Sequence, residues 1–585
     1  MFNNPSIQNL RLRLAQSEAL PQLTLMALMT GLLAGGFLIA FEDLLFYFGV
    51  VSQRALISEQ VFATLASVES GYEALPPLVR FLSPVGGAIA LILLIKRCPP
   101  GQRSFGIAHV IERLTLNRGW LPITGTITQF LTALIALVSG FSVGREGPAV
   151  HLGAGAGSFL GQMLKLPANT LGVLAGCGTA AAIAALFNTP MAGVIFAMEV
   201  VMKEYSLESF IPVMVSAVVA SVLTQTVYGP NPAFQIPIIP SAVPEDLMLT
   251  AITAVIIGLL AAAFIQINIF AMQKRQNKVV LPLLIAGLLM GIVAVLVPAT
   301  MGIGYDSIQA LLNGDEVNLQ FLFILLAAKL VITPLVIGLG VPGGMIGPSL
   351  MIGAAVGACC AILAGQLPGV STNITFHVIT GMIAMMAAIF QAPLTALITV
   401  LELTHSSQII LPAMLAIVIA CLTSSQICGQ QSIFAMQFLA RGQSIQLSPM
   451  AQLLNRTGVA GLMDRQLVTL SSESVPNELR RINSTNSHWV VLGDRQPGQI
   501  IRTKDLLECQ KQGEDVTSQI RDNVVIQTLP IDMQSTLYEA RKIMLDKGLD
   551  VLLVMEKNGR KKVEIYNAVG VITLQSIERF LSNAQ

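Results

Sequence analysis

The segment Gly144-Arg145-Glu146-Gly147-Pro148 sets an acid and a base between two glycines at the mouth of a long apolar run. It returns, altered, 200 residues later. Gly147-Pro148-Ala149-Val150-His151-Leu152-Gly153-Ala154 aligns with Gly347-Pro348-Ser349-Leu350-Met351-Ile352-Gly353-Ala354. Both copies read as helix starts inside apolar sequence, with glycines where the backbone must stay uncovered. Helix starts present unpaired N–H groups and a partial positive charge, so they attract anions. Only the first copy carries a carboxylate, Glu146. A negative side chain beside an anion site blocks it, and protonation lifts the block. The chemistry implied is reversible ion binding.

These starts must be held by elements that composition identifies. The chain has 585 residues, of which 54% are hydrophobic and 11% charged, with a mean hydropathy of +0.71; a soluble chain carries about 25% charged residues. Leu23–Phe41, Leu121–Val143, Leu249–Met272, Val279–Met301 and Leu319–Val341 are apolar runs of bilayer-spanning length, which takes about 20 residues. This is the pattern of a polytopic membrane protein. The net charge of +1 comes with no basic stripe, so no nucleic-acid partner is implied. The seven cysteines have no paired spacing and read as small buried thiols. Arg11 and Arg13 precede the first span and favour a cytoplasmic N-terminus.

The repeat extends beyond one motif. Gly178-x-x-Ala181-x-x-Ala184-Ala185-x-Phe187-x-x-Pro190 matches Gly381-x-x-Ala384-x-x-Ala387-Ala388-x-Phe390-x-x-Pro393, and a glutamate follows nine residues after each proline, Glu199 and Glu402. Two landmarks in one order mark a duplicated membrane unit, and such repeats build ion sites from broken helices near the midplane. The small-residue runs 153–157 and 353–357 suit close helix packing. Residues 1–20 read as an N-terminal segment and 21–442 as the membrane domain, with halves of about 21–230 and 245–440. From Ser448 the composition turns soluble and doubles again, over about 456–512 and 522–583. Leu467–Leu470, a helix around Glu478–Ile482, Trp489–Leu492, Ile500-Ile501 and Leu506-Leu507 form one unit. Val524–Ile526, Leu537–Met544, Val551–Val554, Val569–Ile572 and Ile577–Leu581 form the other, a small α/β module of two halves.

On the motifs GREGP at 144–148, Gly343-Gly344-Met345-Ile346-Gly347-Pro348 and Thr189-Pro190-Met191-Ala192-Gly193-Val194-Ile195-Phe196, the chain resembles the CLC family of chloride channels and chloride/proton exchangers. The tail resembles a pair of CBS domains. The resemblance implies an α-helical polytopic fold of about 17–18 helices in two inverted-topology repeats, followed by the soluble α/β pair. It implies a homodimer with one pathway per subunit, moving chloride and, in exchangers, protons. The setting it implies is a bacterial inner membrane with the N-terminus and tail in the cytoplasm.

Chloride is large and weakly hydrated. Partial charges from backbone N–H groups hold it loosely enough to let it leave, as lysine side chains would not. Three segments fit: Arg145-Glu146-Gly147, Gly344-Met345-Ile346, and Ser104-Phe105-Gly106-Ile107-Ala108. Glu146 is the expected gate, since an ionisable group in an apolar segment defaults to function. Arg145 is expected to pair with a carboxylate, and His151 to be a packed polar residue. The resemblance also marks departures. The family's central serine corresponds to Phe105, with Ser104 adjacent, and its central tyrosine to Phe434. The second glutamate of exchangers, their inner proton-transfer acid, corresponds to Val200, next to Glu199. Channel-like or weakly proton-coupled anion conduction is therefore the leading expectation, and a coupled antiporter taking protons through water or Glu199 is the alternative. In the CBS-like tail, Asp505 and Thr573 keep parts of an adenine-nucleotide pattern, but Arg502 and Ser576 break it. No other cofactor is implied. A divalent-cation channel, the distant alternative, needs clustered carboxylates; Glu42, Asp43, Glu146, Glu199 and Glu402 are dispersed in sequence. An enzyme needs a constellation that His109, His377 and His405, isolated in the sequence, do not provide.

Overall fold

The computed structural model describes residues 14, 20–54, 68–99, 103, 105–230, 232–237, 244–275, 278–314, 318–368, 372–443, 449–470, 487–492, 499–511, 525–555 and 568–583. Among these, the membrane part is helical throughout. Its first half holds α1 (Leu20–Arg54), α2 (Val68–Ala74), α3 (Pro77–Arg97), α4 (Gly106–Leu116), α5 (Ile123–Val138), α6 (Glu146–Met163), α7 (Ala168–Phe187), α8 (Pro190–Phe196) and α9 (Leu207–Tyr228). The second holds α10 (Pro244–Arg275), α11 (Val280–Leu296), α12 (Tyr305–Asn313), α13 (Leu319–Leu339), α14 (Ile346–Ala364), α15 (Ile374–Phe390), α16 (Pro393–Thr404), α17 (Ile410–Leu422) and α18 (Ile433–Ala440).

The duplication is visible element by element. α6, α7 and α8 correspond to α14, α15 and α16. Proline opens α8 and α16 at the position where its missing N–H costs nothing. The small-residue runs pack backbone against backbone: a Cβ on Gly153 would lie 2.1 Å from the Gly178 carbonyl oxygen, and one on Gly353 2.3 Å from that of Gly381. The first pair joins α6 to α7 and the second α14 to α15; close packing of these runs was expected, while their partners emerge only from the structure.

Among the described residues, eight helices are long and apolar enough to cross a membrane. Their outward faces carry bare leucines such as Leu411, 75% exposed, and Leu296 on the shorter α11, 73% exposed, which only a lipid environment accommodates in such number. Two expected spans are shorter than their apolar runs. Leu121–Val143 yields only Ile123–Val138, because the chain turns through Gly140 at φ +74°. Val279–Met301 yields Val280–Leu296, and Pro298 opens a separate short turn. Hydropathy does not register either break, since the residues beyond it stay apolar and buried.

The C-terminal part has its own sheets. β1 (Leu467–Leu470), β2 (Trp489–Leu492), β3 (Gln499–Arg502) and β4 (Ile526–Gln527) form one; β5 (Leu529–Asp532), β6 (Val551–Met555) and β7 (Ala568–Thr573) form the other. In each, a parallel pair (β1 with β2, β5 with β6) is followed by an antiparallel one (β2 with β3, β6 with β7). The two sheets thus share one pairing order, and one strand departs from the expected layout. Ile526 does not open the second half but pairs with Ile500 as the edge of the first sheet, and Leu529–Asp532 takes its place. Helix α19 (Thr503–Lys511) follows β3, α20 (Leu537–Lys547) precedes β6, and α21 (Leu574–Asn583) follows β7. The helix expected around Glu478–Ile482 lies outside the described residues. This compact unit also takes in residues 161–171: Ala168 N–H donates to the Gln534 carbonyl at 3.0 Å, and Gln534 Nε2 donates to the Lys165 carbonyl at 3.0 Å.

Candidate functional site: two helix starts joined across the repeat

The two motif copies meet at backbone level. Gly144 N–H donates to the Gly344 carbonyl at 2.8 Å, and Gly344 N–H donates to that of Gly144 at 2.6 Å. The starts of α6 and α14 are thereby fixed side by side. Met345 and Ile346, at the second start, are buried.

Glu146 lies wholly buried between them. Its Oε1 accepts the Gly347 N–H of α14 at 3.1 Å and the Tyr305 hydroxyl of α12 at 2.8 Å. Its Oε2 has no hydrogen-bond partner among the described residues and fills the space in front of Gly144 and Gly344: a Cβ on Gly344 would lie 2.7 Å from it. The carboxylate therefore occupies a position that donors of the opposite repeat have prepared for negative charge. A group so placed competes with a diffusible anion for the same N–H groups.

Arg145 pairs with Glu42 of α1, as expected for a carboxylate partner. Its guanidinium also lies 5.3 Å from the Tyr305 ring centroid, within cation–π range. The neighbouring Asp43 accepts the Tyr228 hydroxyl at 2.6 Å. A cavity of about 180 Å³ beside these groups is lined by Glu42, Arg145, Asn188, Thr224 and Tyr228 among others. Charged side chains thus come closer to Glu146 than the loose-holding argument anticipates. Lys329 of α13 is fully buried and donates from Nζ to the carbonyls of Gly302 and Ile303, each at 3.2 Å, immediately ahead of Tyr305.

The third expected start is capped. α4 begins at Gly106, at φ +73°, and Gly106 N–H donates to Gln129 Oε1 of α5 at 2.7 Å. Phe105 is its N-cap residue and gives no side-chain hydrogen bond; Ile107 is buried. Ser104 lies outside the described residues. Phe434 is buried and stacks on Phe390 with centroids 5.5 Å apart, an apolar contact where the resemblance expected a hydroxyl.

The paired glutamates perform reciprocal capping. Glu199 accepts from Leu394 N–H at 3.1 Å, from Thr395 N–H at 2.7 Å and from the Thr395 hydroxyl at 2.6 Å. Glu402 accepts from Met191 N–H at 2.9 Å and Ala192 N–H at 2.7 Å. Each repeat's glutamate neutralises the helix start of the other, α16 and α8 respectively. Val200 is buried beside Glu199 in the π-helical turns Ala197–Met202 that continue α8.

Two histidines that look isolated in sequence have partners. His109 Nδ1 and His151 Nε2 lie 2.9 Å apart, joining α4 to α6, and Arg113 Nε donates to His109 Nε2 at 3.0 Å. His377 of α15 lies 3.3 Å from Asp246 of α10. Residues 42 and 131 apart in sequence meet because the helices fold back on one another, which spacing alone does not reveal. In the C-terminal unit, Thr573 Oγ1 accepts Ser576 N–H at 3.1 Å, a cap on α21, and Asp505 lies in the first turn of α19.

Sequence reasoning missed Tyr305, Gln129 and Lys329. Lys329 carried a usable signal, a cation in the middle of the run 319–341. Tyr305 and Gln129 carried none, since each acts through a contact far along the chain.

The comparisons with known proteins identify the family. The model of the voltage gated chloride channel family matches residues 86–425. The chain belongs to this family. A putative chloride channel protein ClcB-like from Ralstonia nicotianae is 29% identical over 378 residues, 63% of this chain and 87% of that protein. An H(+)/Cl(-) exchange transporter ClcA from Salmonella typhi is 29% identical over 427 residues, 70% of this chain and 86% of that protein. A slow cyanobacterial Cl-/H+ antiporter superimposes with a TM-score of 0.59 at 22% identity, covering 72% of this chain and 98% of that one. A eukaryotic CLC transporter gives 0.60 at 16% identity over 95% and 98%. The helical polytopic CLC fold is thus established for a chain whose matched region contains both helix starts, Glu146 and Tyr305. The Arg145–Glu42 pair reaches outside it, to α1.

Proposed function

We propose that the chain carries chloride and similar monovalent anions across a membrane along a path lined by the starts of α6 and α14, with Glu146 as gate and with channel-like or weakly proton-coupled flux. The observation that carries this reading is the seat of the Glu146 carboxylate: it takes a backbone N–H of the opposite repeat through one oxygen and holds the other between two bridged glycines with no partner among the described residues. An ionised group there excludes an anion, and a protonated one has no reason to stay. Val200, Phe105 and Phe434 support loose coupling, because an inner acid and two hydroxyl donors are replaced by apolar groups.

Coupled chloride/proton exchange is the second reading, favoured by the exchange transporters among the relatives. Protons would then reach Glu146 through water or Glu199. Chloride efflux from liposomes with simultaneous pH recording separates the two. The first predicts efflux without stoichiometric proton movement; chloride-driven proton transport against a gradient establishes the second. In either, Glu146→Gln should make efflux insensitive to pH, and efflux that keeps the wild-type pH response removes Glu146 as gate.

We further read the protein as a homodimer with one pathway per subunit, in a bacterial inner membrane with N-terminus and tail cytoplasmic. Support comes from the family and from Arg11 and Arg13 ahead of α1. The two-sheet tail we read as a CBS pair with a structural or dimerising role. Adenine nucleotide is its candidate ligand, testable by calorimetry with ATP and AMP on the purified protein.

A further inference from the structure

We propose that Tyr305 is the latch that sets the acidity at which Glu146 releases the anion path, a reading that rests on Glu146 being the gate. The Tyr305 hydroxyl donates to Glu146 Oε1 at 2.8 Å. A donor to a carboxylate favours the charged form over the neutral one, so this bond holds the gate in the state that blocks. Protonation of the carboxyl weakens the bond and the hold together.

The latch is built to stay in place while the carboxyl moves. Tyr305 is the first residue of α12, and its predecessor Gly304 has φ +97°. The carbonyls of Gly302 and Ile303 are tied to the buried Lys329 ammonium. The ring is braced edge-on by Phe234, 5.0 Å between centroids, and at a tilt by Phe187 at 6.5 Å, with the Arg145 guanidinium against it. Three aromatic and cationic neighbours from separate segments thus fix the ring that presents the hydroxyl. The charged groups around the pair are Arg145 on the gate's own turn, Glu42 of α1 paired to it, Lys329 of α13, and Asp306 beside Tyr305 in α12. Substituting the tyrosine hydroxyl leaves all four in place.

The experiment is chloride efflux against pH from liposomes holding the full chain. Tyr305→Phe keeps the ring and removes the donor. Its efflux midpoint should move to higher pH by about one to two units, the effect of losing one charge-assisted hydrogen bond. Site-specific 3-fluorotyrosine at 305, a more acidic donor, should move the midpoint to lower pH. Opposite shifts from two near-isosteric changes are not what a merely structural ring would give. In a Glu146→Gln background Tyr305→Phe should change nothing further. If the midpoint stays put in both variants while Glu146→Gln abolishes the pH response, the latch is overturned and the gate stands. If Glu146→Gln keeps the pH response, the gate itself falls and the latch with it.

Discussion

Glu199 and Glu402 illustrate how a residue's partners decide between two readings of the same chemistry. A carboxylate in an apolar segment suggests proton transfer, and Glu199 stands where the family resemblance expects the first of two acids. Yet Glu402, its counterpart in the second half, makes the same kind of contact: two backbone N–H groups at the start of a proline-led helix. Glu199 adds the Thr395 hydroxyl. A role shared by both copies of a repeat is a property of the fold, so helix capping accounts for both. Glu199→Gln and Glu402→Gln should each lower stability by about 1–3 kcal/mol, the range for losing a charged cap with its hydrogen bonds. Thermal denaturation of the detergent-solubilised protein measures this. Glu199→Gln should also leave the proton-to-chloride ratio in liposomes unchanged; a reduced ratio would return Glu199 to the proton path.

At the scale of elements, the site depends on two helix starts approaching more closely than side chains permit. Gly344 sits at the contact: a Cβ there would lie 2.6 Å from Gly147 N and 2.7 Å from Glu146 Oε2, inside any real contact distance. Gly344→Ala should therefore separate the starts and displace the carboxylate, cutting chloride efflux at least about tenfold, the effect of roughly 1.4 kcal/mol, while the protein stays monodisperse on size exclusion. Wild-type efflux in this variant would show that the bridge does not shape the path. The equivalence of Gly144 and Gly344 was legible in the sequence, because the repeat aligns them and keeps both as glycine; that they touch was not. Close packing of the runs 153–157 and 353–357 was legible too, but not that it falls on Gly178 and Gly381. What the sequence concealed has a common cause. Tyr305 reaches Glu146 across 159 residues, Gln129 caps α4 from the next helix, and the breaks after α5 and α11 fall where apolar sequence continues. Periodicity reports which residues are buried; it does not report which buried residues touch.

At the scale of the whole molecule, the membrane part and the tail are built on separate cores. The apolar interior running from Ala34 to Phe438 contains no tail residue among the described residues. The second sheet has its own interior of Leu537, Met544, Leu552, Val554 and Ile572, and the first packs Val490, Leu492, Ile501 and Leu506. Each core excludes water without the other, so neither supplies the burial on which the other's folding depends. Glu146 and the groups around it, Tyr305, Arg145 and Gly344, likewise take their partners from residues 42–347. Deleting the chain from Ser448 should consequently leave chloride efflux and its pH response intact. The cost falls on residues 161–171, where Lys165 and Ala168 lose their bonds to Gln534; two neutral hydrogen bonds at a partly exposed turn amount to about 1–2 kcal/mol. The truncated protein should therefore melt a few degrees lower, by an amount that Gln534→Ala in the full chain only partly reproduces, since the backbone bond from Ala168 survives that change. A folded truncation that conducts no chloride would mean that the path requires the tail, and the independence of the two cores would then not extend to function.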